Sequence, residues 1–131
     1  MNYFGIEIFD AKIYSDFPLE EDQPLEEQWF FLSNDVGYME FHFRGMIFGV
    51  DISWYGDFED VYNPNNCFKV DVAEWGRNEF KVFYRVCVGP NMQDLKQAMQ
   101  RAVDLVQSTR EMSFEEIDAF PDLRGEPTRL T

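Results

Sequence analysis

Few side chains in this sequence are of the types that carry catalysis. Its one histidine, His42, sits between Phe41 and Phe43 in an alternating stretch and reads as an ordinary sheet-face residue. Cys67 and Cys87 lack CxxC spacing and a histidine cluster, which argues against zinc. Gly89-Pro90-Asn91 is too short for a phosphate-cradling loop. Asp57, Glu59 and Asp60 could meet a calcium ion, but their order is not that of a twelve-residue EF-hand loop. Carboxylate pairs suited to glycosidase-like proton transfer are abundant, yet spacing along the chain singles none out. The expectation is a protein without catalytic residues, metal or cofactor.

Binding chemistry is better represented. The segment WYGDFEDVY holds Trp54, Tyr55, Asp57, Phe58, Glu59, Asp60 and Tyr62. Aromatic rings give contact area with few rotors to freeze, and carboxylates attract cations at long range, so the mixture has the character of a partner-binding loop. The alternative is that Trp54, Phe58 and Tyr62 only anchor the loop to the core while its acids keep it solvated. Glu20, Glu21 and Asp22, with Glu26 and Glu27 nearby, form a second acidic group; it is either a further set of partner contacts or a solvated charge run.

Charge points the same way. The 131 residues carry 25 acids and 11 bases, a net of −14, alongside 45% hydrophobic and 18% aromatic side chains. Such a composition can build one core-bearing domain and is too apolar for a disordered acidic tail. The excess is lopsided: residues 1–66 hold 14 acids and only Lys12 and Arg44 as bases, whereas residues 67–131 hold 11 acids and nine bases. Nucleic acid and anionic membranes would be repelled, so a basic protein is the natural partner. No apolar run is long enough to cross a bilayer, the N-terminus does not read as a signal peptide, and the two cysteines are expected as reduced thiols in the cytoplasm.

These groups must be positioned by secondary structure. Residues 2–9 read as a first strand, 15–27 as a Pro-broken acidic loop, and 29–33 as a further strand. Alternation is clearest at Met39–Arg44 and again at Phe48–Trp54, with Gly45 a turn, a bulge or a bend between them. Phe68–Ala73 and Phe80–Val88 read as a hairpin turning near Gly76, its outward face bearing Lys69, Lys81 and Arg85. Pro90, or Asn91 with Asp94, opens an amphipathic helix of about 17 residues with Leu95, Met99, Val103 and Val106 on its apolar stripe. Ser113 and Glu116 form a capping box for a short second helix, with Met112 and Ile117 as its hydrophobic staple. Strands followed by helices give an α+β class: an antiparallel sheet of about five or six strands with the long helix packed on one face. Residues 1–120 would form the domain and 121–131 a tail or a surface-lying segment.

The profile as a whole, with WYGDFEDVY in a β-rich acidic domain, resembles the immunity proteins of contact-dependent growth inhibition and related polymorphic toxin systems. The resemblance implies a cytoplasmic inhibitor that binds one cognate toxin, often a basic nuclease, and it carries over no catalytic residue. Two other small acidic classes stand beside it. A phage-type DNA mimic, such as an anti-restriction or anti-CRISPR protein, would space its carboxylates over a long surface, whereas these cluster in loops. A type III secretion chaperone would begin with a helix, where Tyr3–Phe9 reads as a strand.

Overall fold

In the computed structural model the described residues are 2–14, 17–20, 22–28, 32, 35–56, 60 and 62–130. The alternating stretches become strands. β1 (Asn2–Tyr3) and β2 (Ile6–Glu7) pair with each other, and β3 (Ala11–Ile13), β4 (Gly37–Phe43), β5 (Met46–Tyr55), β6 (Cys67–Trp75) and β7 (Lys81–Val88) follow. Then come α1 (Met92–Thr109), α2 (Phe114–Asp118) and a last strand, β8 (Thr128–Leu130). The large sheet has six strands in the order β3-β4-β5-β6-β7-β8, antiparallel except for the parallel pair β7–β8. The α+β class, the mostly antiparallel sheet, the long helix and the short second helix all follow the sequence reading.

Local chemistry explains the turns. β4 and β5 register Phe43 against Met46, so Arg44 and Gly45 alone make the turn, both at positive φ (55° and 76°). That is the backbone an I′ hairpin turn requires, and glycine accepts it without strain. Residues 2–9 are not the single strand expected: Phe4 and Gly5, at φ 53° and 74°, fold them into the small β1–β2 hairpin. The strand expected at 29–33 falls mostly outside the described residues. Residues 121–131 were expected as a tail or a surface-lying segment; Thr128–Leu130 joins the sheet edge.

Alternation then sorts the faces. Met39, Phe41, Phe48, Val50, Ile52, Trp54, Phe68, Val70 and Val72 are all buried on one side of the sheet. Leu95, Ala98, Met99, Ala102, Val103 and Val106 of α1 complete that core, joined by Ile6, Ile8, Leu19 and Leu25 from the N-terminal third. The Asn91 side chain caps α1, accepting from the Gln93 and Asp94 amides at 2.9 and 3.1 Å, so Pro90 lies before the cap. At the far end Arg44 Nη1 donates to the carbonyls of Thr109, the last residue of α1, and of Arg110 and Met112 just beyond it. Ser113 and Glu116 form the expected capping box.

One break in the alternation matters. β6 and β7 shift register between Val72 and Ala73, with Tyr84 opposite Val72 and Val82 opposite Ala73. Phe83 is thereby turned into the core against Phe48 and Phe120 rather than outward. The expected basic row splits with it: Lys81 donates to the Asp118 carbonyl of α2, whereas Lys69 and Arg85 meet at Asp71.

Candidate binding surfaces

The antiparallel registers put the start of β4, the end of β5, the start of β6 and the end of β7 at one end of the sheet. The N-terminus of α1 lies there too, together with the described residues of the loops at 18–28 and 60–66. Tyr62 ties these loops together: its hydroxyl accepts from the Glu26 amide at 3.4 Å. It shares with Asp22, Pro24, Leu25 and Met92 a depression of about 390 Å³. Glu20, Asp22, Glu26, Glu27 and Asp60 are exposed at this end, with Asp94 in the first helical turn, where negative charge suits the helix dipole. Arg129 reaches one of these loops, donating to the carbonyls of Pro64 and Asn66.

The opposite end holds the turns, the C-terminus of α1, and α2. Its cations are engaged: Arg44 as above, Arg77 on Asp118, Lys81 on the Asp118 carbonyl, Arg110 over Phe43, and Arg124 on Asp122 and the Phe80 carbonyl. The charge imbalance between the two halves of the sequence thus becomes an acidic pole and a mixed pole.

The acidic loop is more ordered than a ragged charge run. Gln28, 5% exposed, accepts from the Glu20 amide at 2.6 Å and donates to the carbonyls of Glu20 and Gln23. Leu19 and Leu25 pin the loop to the core on either side. Sequence reasoning missed Gln28, because a single glutamine carries no pattern.

The expected site residues separate. Trp54 is 0% exposed and stacks edge-on against Phe68, so it is corrected from partner contact to core. It shares the inward parity of Phe48, Val50 and Ile52. Its indole N–H has no partner among the described residues. Tyr55, one position on, points to the other face and is 47% exposed beneath the Lys69 ammonium. Glu20, Asp22, Asp60 and Tyr62 gather at the acidic pole, while Glu21, Asp57, Phe58 and Glu59 lie outside the described residues.

A second surface was not anticipated as a site. The sheet face opposite α1 carries polar and aromatic groups in cross-strand rows. Glu40 accepts from the Tyr14 and Tyr38 hydroxyls, both at 2.7 Å, and pairs with His42 at 2.8 Å. Burial raises the Glu40 pKa, but the three hydrogen bonds outweigh it and hold the carboxyl below its ordinary value. Tyr38 is pushed well up, first by burial and then by the adjacent Glu40.

At the centre Asp51 and Asp71 are direct register partners on β5 and β6. Asp71 holds Lys69 at 3.4 Å and Arg85 at 3.0 Å. Among the described residues Asp51 accepts only from Ser53, at 3.3 Å, and no cation lies within 4.0 Å of it, Lys69 acting on it from farther away. Burial, then Asp71 and Asp35, push its pKa up. Tyr38, Trp75, Phe80 and Arg85 enclose a depression of about 310 Å³ around the two carboxylates. Its floor includes Gly49, where a Cβ would come within 2.6 Å of the Trp75 ring and 2.7 Å of the Tyr38 hydroxyl. Beside it Cys67 and Cys87, both free thiols, share a depression of about 530 Å³ with Tyr55, Lys69 and Arg129. Among the described residues no three metal-ligating side chains converge, and no helix is long and apolar enough to cross a membrane.

Comparison with protein-family models, with curated proteins and with solved structures finds no match for this chain.

Proposed function

We propose that this is a non-catalytic acidic protein of the cytoplasm that binds and neutralises a basic partner. The partner is a cognate toxin domain of nuclease type, as the resemblance to immunity proteins implies. The observation that carries the reading is the acidic pole. Exposed carboxylates from two separate loops meet there around Tyr62, while most cations are spent on hydrogen bonds elsewhere. Such a surface accelerates encounter with a basic protein, toward ~10⁸–10⁹ M⁻¹s⁻¹ at low salt, and the aromatic and apolar groups at its centre hold what arrives.

Co-expression with a toxin domain encoded beside the gene tests this. Growth should be rescued, and Asp22→Lys combined with Asp60→Lys should slow association at least ten-fold and flatten its salt dependence. Unchanged rates and salt slope in that variant would sink the assignment.

Asp51 opposite Asp71 in one depression also supports a second reading, proton-transfer catalysis by paired carboxylates. Asp71 is already committed to two cations, which favours binding over turnover. Hydrolysis of chromogenic glycosides that disappears in Asp51→Asn would reverse that preference.

A further inference from the structure

The two cysteines stand together on the open face of the sheet. Cys87 on β7 is the register partner of Lys69, two residues along β6 from Cys67, so the pair shares a face and lies diagonally across adjacent strands. Diagonal neighbours in an antiparallel pair have Cα atoms about 7–8 Å apart. A disulfide spans only about 4.4–6.8 Å, which disfavours a direct S–S bond here. The thiols still act on each other: burial comes first in raising the Cys67 pKa and Cys87 next, while Arg129 lowers it. Both thiols are free, Cys67 partly exposed and Cys87 buried, at a depression of about 530 Å³ that Lys69 and Arg129 also line.

We propose that Cys67 and Cys87 form a two-coordinate site for a soft monovalent cation such as Cu(I), held in line between their thiolates. Soft thiolate ligands select such ions. A cation between two sulfurs places a metal–sulfur bond on each side, and so bridges a gap too long for one S–S bond. Zinc in a structural site takes four ligands and fits poorly, because among the described residues no three metal-ligating side chains converge. Binding releases both thiol protons and leaves one net negative charge, which the Arg129 guanidinium and the Lys69 ammonium offset. The ion reaches the pair from the depression, on the side where Cys67 is exposed. This site departs from the expectation of a protein without metal, and it does not depend on the acidic pole or on a basic partner.

The test supplies Cu(I) anaerobically to the reduced full chain, with bicinchoninate as the competing chelator. The protein should withdraw one Cu(I) per chain, with a thiolate-to-copper absorption in the near ultraviolet and no change in sedimentation. Cys67→Ala and Cys87→Ser should each cost more than the roughly 10–100-fold in affinity that loss of an outer-shell partner typically costs. Cys67→Ala, at the partly exposed position, should keep the parent's circular dichroism and melting profile even where Cys87→Ser does not. Its loss of binding is then not a loss of structure.

Copper binding that survives either substitution would overturn the proposal. So would Zn(II) held as tightly as Cu(I) in the same competition format. One copper shared by two chains, seen as a doubled sedimenting mass, would place the two sulfurs in different molecules and would also overturn it. Complete conversion of the pair to an intramolecular disulfide by oxidised glutathione would show thiols near enough to bond directly. That result removes the spacing on which the site rests and would overturn it as well.

Discussion

Asp51 and Asp71 oppose each other across a strand pair, and of the two only Asp71 has a cation within 4.0 Å among the described residues. Asp51 therefore keeps its proton to a higher pH when folded than when unfolded, chiefly because it is partly buried and secondly because Asp71 is beside it. In the pH window between the ordinary carboxylate range and this raised value, the native state binds more protons than the unfolded state. Stability must then fall as pH rises through that window. Asp51→Asn should stabilise the protein by about 0.5 kcal/mol at neutral pH, the order of a like-charge cross-strand pair. The gain should vanish below about pH 4, where both states are protonated. Urea midpoints at the two pH values check this, and a gain of equal size at both would refute it. Neither carboxylate was legible as part of a pair. Each sat correctly on the outward parity of its own strand, but which outward residue of β6 faces which of β5 depends on register, and neither strand alone contains that information. Trp54 shows the converse. Its inward parity with Phe48, Val50 and Ile52 was visible in the sequence, and its placement among the loop aromatics overrode it.

Elements whose signal is local were read well from the sequence. The capping box at Ser113 and Glu116, the stripe of α1 and the β6–β7 hairpin all rest on spacings of a few residues. Elements defined by distant contacts were not. The bulge that turns Phe83 inward, and the parallel pairing of β8 with β7, join chain segments whose match becomes visible only when the sheet is assembled. Arg44 combines both kinds of requirement. Locally it occupies a positive-φ turn position, and through space its guanidinium meets three carbonyls at and just beyond the end of α1. Arg44→Ala should cost about 1–2 kcal/mol, since a charged donor at a helix C-terminus is lost while the strained backbone stays. Arg44→Gly should cost less, because glycine adopts that φ freely. Thermal melts that rank glycine below alanine would contradict this.

At the scale of the molecule the net charge of −14 is a self-repulsion, with exposed carboxylates gathered at the acidic pole. Salt should relieve it: raising NaCl from about 0.02 M to about 0.5 M shrinks the Debye length from roughly 20 Å to roughly 4 Å and should raise Tm by a few degrees. A fall in Tm over that range would mean that the ion pairs of the mixed pole outweigh the repulsion of the acidic one. The imbalance between the two halves of the sequence was legible; its conversion into poles required the strand directions. The terminal strand has a further consequence. Along β7 the backbone is taken up by the segment after α2: the Val82 amide by the Asp122 carboxylate, the Val82 carbonyl by the Leu123 amide, and Val86–Val88 by β8. The other border of the large sheet is β3, three residues long. Among the described residues the β7 border of the large sheet therefore leaves little open backbone on which another chain could extend it into a fibre.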